Sequence, residues 1–238
     1  MFKCIFKITS LLFLLNSLQV NSQNKNDKEL YAKIDKELSQ GNSTLNNGKI
    51  YVNKDLTINN EHRYFLENKF YLAEIKFENQ VYFGAKIKYD IYKDELILNP
   101  ENQSEKLQIV LDKNKVDYFI IQNKKFTPCK SDKNTPLEYY EKNVVGQDFE
   151  FYIKYKKNIK EVLLDSGVYN SYVDQTKYFI KTNNTFYEIK SKKILLKLYP
   201  QFKDEINNYY LIYKDFENEN KLKFMENLMS NVKRLSRN

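Results

Sequence analysis

Alternation of apolar and polar residues between positions 71 and 92 constrains the fold of this chain more than any other sequence feature. In its second half, every other position is apolar, namely Val81, Phe83, Ala85, Ile87, Tyr89 and Ile91. A two-residue period places this set on one face of a strand, and the opposite face then carries Tyr82, Lys86, Lys88, Asp90 and Tyr92. The sequence therefore predicts a half-buried strand of an antiparallel sheet.

The residues before this strand repeat the same pattern. Their apolar positions are Tyr71, Ala73, Ile75 and Phe77, and only Glu78-Asn79-Gln80 separates the two runs. This spacing is typical of a β-hairpin. Similar runs predict strands over residues 49–52, 56–58, 94–98, 106–111, 116–122, 149–155, 178–180 and 185–189.

Turn-forming residues separate these predicted strands. Residues 124–136 are interpreted as a loop because they contain Pro128 and Pro136, and Asn183-Asn184 suits a tight hairpin turn. Strands at such short, regular spacing are typical of an antiparallel meander. The apolar face of this sheet must be covered, so we expect the sheet to be curled or barrel-like, or to pack against a second layer.

After residue 190 the apolar period changes from two residues to about four. This change predicts three α-helices, over residues 191–198, 202–213 and 222–235, with Ser191 as the cap of the first and Pro200 as its stop. Near the other end of the chain, residues 27–40 predict a short amphipathic helix and residues 41–48 a polar connector. A sheet followed by C-terminal helices defines the α+β class.

The first 22 residues have the three parts of a secretory signal peptide: a cationic start, a short apolar run and small residues before a polar stretch. A membrane anchor is the alternative, but it needs about 20 predominantly apolar residues, and Asn16, Ser17 and Gln19 interrupt this run. We therefore expect cleavage after Ser22, export of the chain, and a mature protein without a transmembrane segment.

These patterns divide the chain into four regions. They are a signal peptide over residues 1–22, a short helix and polar connector over 23–48, a β-rich domain over 49–190, and a helical segment packed on the sheet over 191–238.

Several of these segments together resemble a family of exported Bacteroidota proteins that has no assigned activity. The resemblance covers the chain from about Phe65 onward and rests on Ala73-Glu74-Ile75-Lys76-Phe77, residues 88–96, Tyr178-Phe179-Ile180-Lys181, residues 192–200 and the terminal helices. It implies export and this succession of sheet and helices. It implies no substrate, cofactor or catalytic residue.

The residue types that carry common enzymatic chemistry are scarce. His62 is the only histidine of the chain, and Cys129 is the only cysteine after the leader, so the sequence predicts neither a usual zinc site nor a catalytic triad. The five glycines are scattered, which disfavours a phosphate-binding loop. We therefore assign no catalytic residue, metal or cofactor, and a non-enzymatic role is favoured.

Paired carboxylates remain the open alternative, as in a glycan-directed hydrolase. The acids available in or near predicted strands are Asp90, Asp94, Glu95, Asp148 and Glu150. The formal charge of +8 suits anionic partners, but only three of the cationic residues are arginines, which disfavours nucleic acid.

The best binding candidates are the outward-facing residues of the central strand, Tyr82, Lys86, Lys88 and Tyr92. Tyrosines beside lysines offer flat contact area and cationic donors for a protein or an anionic glycan. The alternative is an ordinary solvated strand face on which lysine discourages aggregation. The sequence thus predicts an exported, envelope-associated binding or assembly protein, with a carboxylate-dependent hydrolase or a structural accessory protein as alternatives.

Overall fold

A computed structural model describes residues 44–100, 104 and 106–236. The predicted signal peptide and first helix lie outside these residues. The strands described are β1 (Lys49–Ile50), β2 (Tyr71–Phe77), β3 (Gln80–Asp90), β4 (Glu95–Asn99), β5 (Ile109–Val110), β6 (Val116–Ile121), β7 (Lys124–Cys129), β8 (Glu138–Val145), β9 (Glu150–Lys154), β10 (Lys157–Leu164), β11 (Gly167–Asp174), β12 (Lys177–Thr182) and β13 (Thr185–Glu188). The helices are α1 (Lys192–Leu198), α2 (Lys203–Ile212), α3 (Lys214–Glu219) and α4 (Lys221–Leu235).

Eleven of the strands form one antiparallel sheet in the order β1-β5-β4-β3-β2-β6-β7-β8-β9-β12-β13. The sheet is not closed, but it is curled. Asp94, in the turn between β3 and β4, accepts a hydrogen bond of 3.2 Å from the backbone N–H of Tyr139 in β8, although three strands separate β3 from β8. The predicted α+β class, with an antiparallel meander followed by C-terminal helices, is confirmed.

The main core lies between one face of the sheet and the helices. The residues Tyr71, Ala73, Ile75 and Phe77 of β2 are buried there, as their spacing predicts. Helix α4 packs on β8 and buries Phe224, Met225, Leu228, Met229 and Val232. Each such apolar side chain contributes about 1.5–3 kcal/mol of transfer free energy, so this stripe holds the helix on the sheet.

The predicted alternation of β3 is wrong on the N-terminal side of Gly84. The register of β2 and β3 shifts there, since Ala73 pairs with Ala85 whereas Glu74 pairs with Phe83. Gly84 is the extra residue and has a φ of +74°, a left-handed conformation that glycine adopts at low cost. This bulge reverses the phase, so Tyr82 joins the core face.

A second register shift changes the buried face of β6. It lies between Lys76 and Phe77 of the partner strand β2. The strand consequently buries Phe119 and Ile121, rather than the predicted Tyr118 and Ile120.

Three segments outside the predicted strands form strands, namely β7, β8 and the hairpin of β10 and β11. Residues 124–136 begin with β7, which pairs with β6 through a turn at Gln122 and Asn123, both of positive φ. Such turns match the twist of antiparallel strands, which explains the tight connection. Strands β10 and β11 follow β9 in the chain and form a separate two-stranded sheet, after which β12 pairs with β9.

The remaining differences concern the lengths and ends of elements. Only Thr57 of residues 56–58 forms a bridge, and only Ile109–Val110 of residues 106–111 are paired as a strand. Ser191 precedes α1 but its side chain makes no capping hydrogen bond. Helix α3 was not predicted.

Membrane-spanning helices were searched for within the described part of the chain. None of its helices is both long enough and apolar enough to cross a bilayer.

Candidate functional site

The structure separates the four predicted binding residues. The prediction that they share one outward face is therefore wrong. Tyr82 is buried on the core side, and its hydroxyl lies 3.0 Å from that of Thr44. Tyr92 lies in the turn after β3, where its ring covers the guanidinium of Arg63 at 4.6 Å. Only Lys86 and Lys88 are brought together, in the wall of one pocket.

This pocket lies on the outer face of the sheet, opposite the main core. It has a volume of about 520 Å³ and is lined by Asn68, Lys69, Phe70, Leu72, Lys86, Lys88, Asn99 and Gln108. Strand β3 supplies the two central lysines because Ala85, Ile87 and Tyr89 alternate with them and are buried in the core. Leu72 of β2 and Asn99 of β4 flank Lys86 in the sheet register.

Lys88 is the most unusual residue of the pocket because its ammonium group is buried without a carboxylate. The residue is only 6% exposed. Its Nζ donates a 3.1 Å hydrogen bond to Oδ1 of Asn68 and lies 4.1 Å and 4.7 Å from the ring centres of Tyr64 and Phe70. It makes no ion pair with any carboxylate of the described residues.

Burial lowers the pKa of Lys88, and the nearby Asp90 acts in the opposite direction without restoring the usual value. Asp90 is itself committed elsewhere, because its carboxylate lies 2.7 Å from Nε of Arg63 and accepts a hydrogen bond from Tyr51. The charge of Lys88 is therefore incompletely compensated.

The other two lysines strengthen the positive potential of the pocket. Lys86 is exposed and has no ion pair among the described residues, whereas Lys69 pairs with Glu67 at 2.7 Å. None of the eight lining residues is acidic. The site is therefore suited to a negatively charged ligand.

Amide and apolar side chains complete the lining. Nδ2 of Asn99 donates to the backbone oxygens of Ser104 and Leu107 at 3.1 and 2.9 Å, which holds the connection between β4 and β5. Phe70 presents a half-buried ring, and Leu72 is 71% exposed. The pocket therefore combines cationic, amide and apolar surfaces, as small-molecule sites commonly do.

The carboxylates near the start of β4 serve as internal ion-pair partners. Asp94 accepts hydrogen bonds from the hydroxyl of Tyr89 and from Nζ of Lys154, both at 2.5 Å, and it also contacts Nζ of Lys113. With the N–H of Tyr139, both of its oxygens are occupied. Asp90 is likewise fully buried and hydrogen-bonded.

Asp148 and Glu150 do line a depression, of about 380 Å³, together with Lys181. Burial would raise the pKa of Glu150, but its hydrogen bonds with Lys142 and Tyr152 lower it overall. Glu95, whose pKa is raised by burial, is not part of this depression. A hydrolase needs a protonated acid and a charged carboxylate at one site, and no described depression contains such a pair.

His62 and Cys129 lack the surroundings of catalytic groups. Burial, followed by the charge of Lys157, lowers the pKa of His62, and its Nδ1 is buried without a hydrogen-bond partner. Burial raises the pKa of the Cys129 thiol to about 11, opposite to the shift that activates a nucleophilic cysteine. The described residues contain no cluster of three or more histidine, cysteine and acidic side chains able to bind a metal.

Three residues around Lys88 were missed by the sequence analysis: Tyr64, Asn68 and Phe70. They belong to an irregular segment before β2, where no periodic pattern marks them. The lysine alternation in β3 could indicate a positive surface but not its aromatic and amide surroundings.

Comparison of the chain with models of protein families, with curated proteins and with solved structures finds no match.

Proposed function

We propose that the protein is an exported, envelope-associated binding protein and that the pocket around Lys88 receives an anionic group. The observation that carries this proposal is the buried ammonium of Lys88 in the wall of an open pocket whose described lining residues include no carboxylate. Export is supported by the sequence pattern of residues 1–22 and by the resemblance to exported Bacteroidota proteins.

The physical basis is the cost of burying a charge. An ammonium removed from water loses hydration, and a hydrogen bond to Asn68 with two aromatic contacts replaces that hydration only in part. A bound anion would supply the missing opposite charge. Perturbed, uncompensated groups in clefts are frequent at functional sites for this reason.

The alternative of a glycan-directed hydrolase gains no support from Asp90, Asp94 or Glu150. Asp90 and Asp94 bind cationic and hydroxyl groups of the protein itself, and Glu150 is bound by Lys142 and Tyr152. The described residues that line the Lys88 pocket also include no carboxyl group that could act as a general acid. Binding without chemistry is therefore the function that the geometry supports best.

The binding proposal is tested by following the lysine ammonium signals of the ¹⁵N-labelled exported protein by NMR during titration with sodium acetate and sodium glucuronate. We expect the Lys88 signal and the side-chain amide signal of Asn68, its hydrogen-bond partner, to shift with saturation, and the Asn68 shift to be lost in Lys88→Met. Lys160→Met, on the exposed side of β10, removes the same charge outside the pocket and should leave the response unchanged. Equal responses of the two variants, or no saturable shift, would overturn the proposal.

Export is tested separately by fractionating native cells and reading the N-terminus of the recovered protein by mass spectrometry. We expect a chain that begins at Gln23 in the envelope or secreted fraction. An intact Met1 in the cytoplasm would contradict export while leaving the pocket to be judged on its own.

A further inference from the structure

We infer that the group bound at Lys88 is the carboxylate of a sugar, so that the pocket receives a uronic acid unit of an acidic glycan. This inference rests on the proposed function and specifies its ligand. It is carried by the amides and the aromatic ring that stand beside the two lysines, Asn68, Gln108 and Phe70.

The lysine pair suits a single carboxylate. Lys86 and Lys88 stand two residues apart on one strand face, which separates their Cα atoms by about 6.5–7 Å. Flexible side chains at this spacing can each approach one oxygen of the same carboxylate. Lys69 belongs to the rim, because Glu67 already neutralises it.

The pocket lacks the backbone donors that usually bind phosphate. It is built on β2, β3 and β4, rather than on the N-terminus of a helix or a glycine-rich loop, whose backbone N–H groups surround a phosphate. A carboxylate can be bound by lysine side chains without such backbone donors.

The remaining wall has the chemistry that a sugar requires. Hydroxyl groups both donate and accept hydrogen bonds, and an amide side chain offers both functions, whereas lysine only donates. Asn68 stands beside the ammonium of Lys88, at 3.1 Å, so an amide lies next to the anion position. Phe70 and the exposed Leu72 offer apolar surface to the C–H face of a sugar ring.

The test measures binding to the exported protein by calorimetry at constant ionic strength. The probes are tetragalacturonate, its methyl ester, sodium acetate, inorganic phosphate and a sulfated disaccharide. We expect tetragalacturonate to bind more tightly than acetate. The methyl ester should bind at least tenfold more weakly than tetragalacturonate, because hydrogen bonds to a charged group are worth roughly one to two powers of ten in affinity.

Variants assign the binding to the two parts of the site. Lys88→Met should weaken tetragalacturonate binding at least tenfold, whereas Lys160→Met should not. Phe70→Leu keeps an apolar side chain but removes the ring. It should therefore weaken the binding of tetragalacturonate several-fold and leave the binding of acetate unchanged. Melting temperatures of all variants check that each one is folded.

The outcomes distinguish this inference from the proposed function. If phosphate or the sulfated disaccharide binds in a Lys88-dependent way more tightly than tetragalacturonate, the pocket is an anion site but the uronic acid inference is wrong. If acetate and tetragalacturonate bind equally tightly, the inference that the pocket recognises the sugar ring is wrong. If no probe binds in a Lys88-dependent way, both proposals fail.

Discussion

Lys154 and Lys88 are two buried lysines with opposite surroundings. Lys154 is 3% exposed and lies 2.5 Å from Asp94 and 3.6 Å from Glu138, and it donates to the backbone oxygen of Tyr139. Lys88 is 6% exposed, and within the part of the chain that the structure describes its direct partners are an amide oxygen and two rings. The comparison teaches that burial alone does not assign a role to a lysine, because the first is satisfied by the protein and the second is not.

The difference follows from the position of each lysine in the curled sheet. The curl brings the turn after β3 against β8 and β9, so Asp94 reaches Lys154 and helps to hold the two parts of the sheet together. Lys88 lies on the outer face, where the irregular segment before β2 covers it with Tyr64 and Phe70 but supplies no acid to it. Lys154 is therefore part of the scaffold, whereas Lys88 is the lysine for which we propose an anionic ligand.

The largest loss of stability should come from breaking the cluster that Lys154 forms with Asp94 and Glu138. Asp94 has a φ of +59°, which asparagine tolerates, so Asp94→Asn removes the charge and preserves the turn. Loss of one partner of a buried ion pair costs about 3–5 kcal/mol of unfolding free energy. Urea denaturation measures this loss of unfolding free energy. Asp132→Asn makes the same change at a solvent-exposed position and is the matched control, for which we expect a loss of about 0.5 kcal/mol or less. A similar small loss in both variants would show that the cluster is not structural.

Lys88→Met should have a much smaller effect on stability. Methionine keeps the apolar stem and removes the uncompensated ammonium, so we expect the free energy of unfolding to stay within about 1 kcal/mol of the wild type, or to rise. The same urea titration, in buffer without anionic ligands, provides the value. A loss as large as that of Asp94→Asn would mean that the two lysines play the same structural part.

The pH dependence of stability sharpens the comparison further. The folded-state pKa of Lys88 lies below the unfolded value, so between the two the unfolded chain holds more protons and stability rises with pH. We expect the wild type to gain stability relative to Lys88→Met as pH increases toward about 10.4, the ordinary lysine pKa. Paired unfolding curves from pH 7 to 10 measure this difference. A constant difference across the range would contradict the lowered pKa.

A small loss of stability is expected at the bulge of β3, which lies just before the two lysines. Gly84 has positive φ, and an added Cβ would have no atom within 4 Å, so Gly84→Ala tests conformational strain alone. We expect a loss of about 1 kcal/mol, measured by thermal unfolding, with tetragalacturonate binding retained. An unchanged or raised melting temperature would show that the bulge conformation is not strained for alanine.

The success of the sequence analysis depended on whether the residue period stayed constant. The faces of β2 and the presence of helices near residues 192–198, 203–212 and 221–235 follow from uninterrupted periods of two and about four. The faces of β3 and β6 do not, because one extra residue in a bulge makes the residues before it and the residues after it follow opposite phases. An isolated glycine in a strand indicates such a bulge, so Gly84 carried a signal that could have corrected β3.

By itself, the amino-acid sequence determined the α+β class, the antiparallel meander and the presence of Lys86 and Lys88 on one strand face. Their candidate site was only half predictable, because Tyr82 and Tyr92 belong elsewhere and Asn68 and Phe70 carry no periodic signal. Only the tertiary structure decided which lysine has an acidic partner. Asp94 and Lys154 lie 60 positions apart, and it is the curl of the sheet, rather than any local pattern, that brings their charges together.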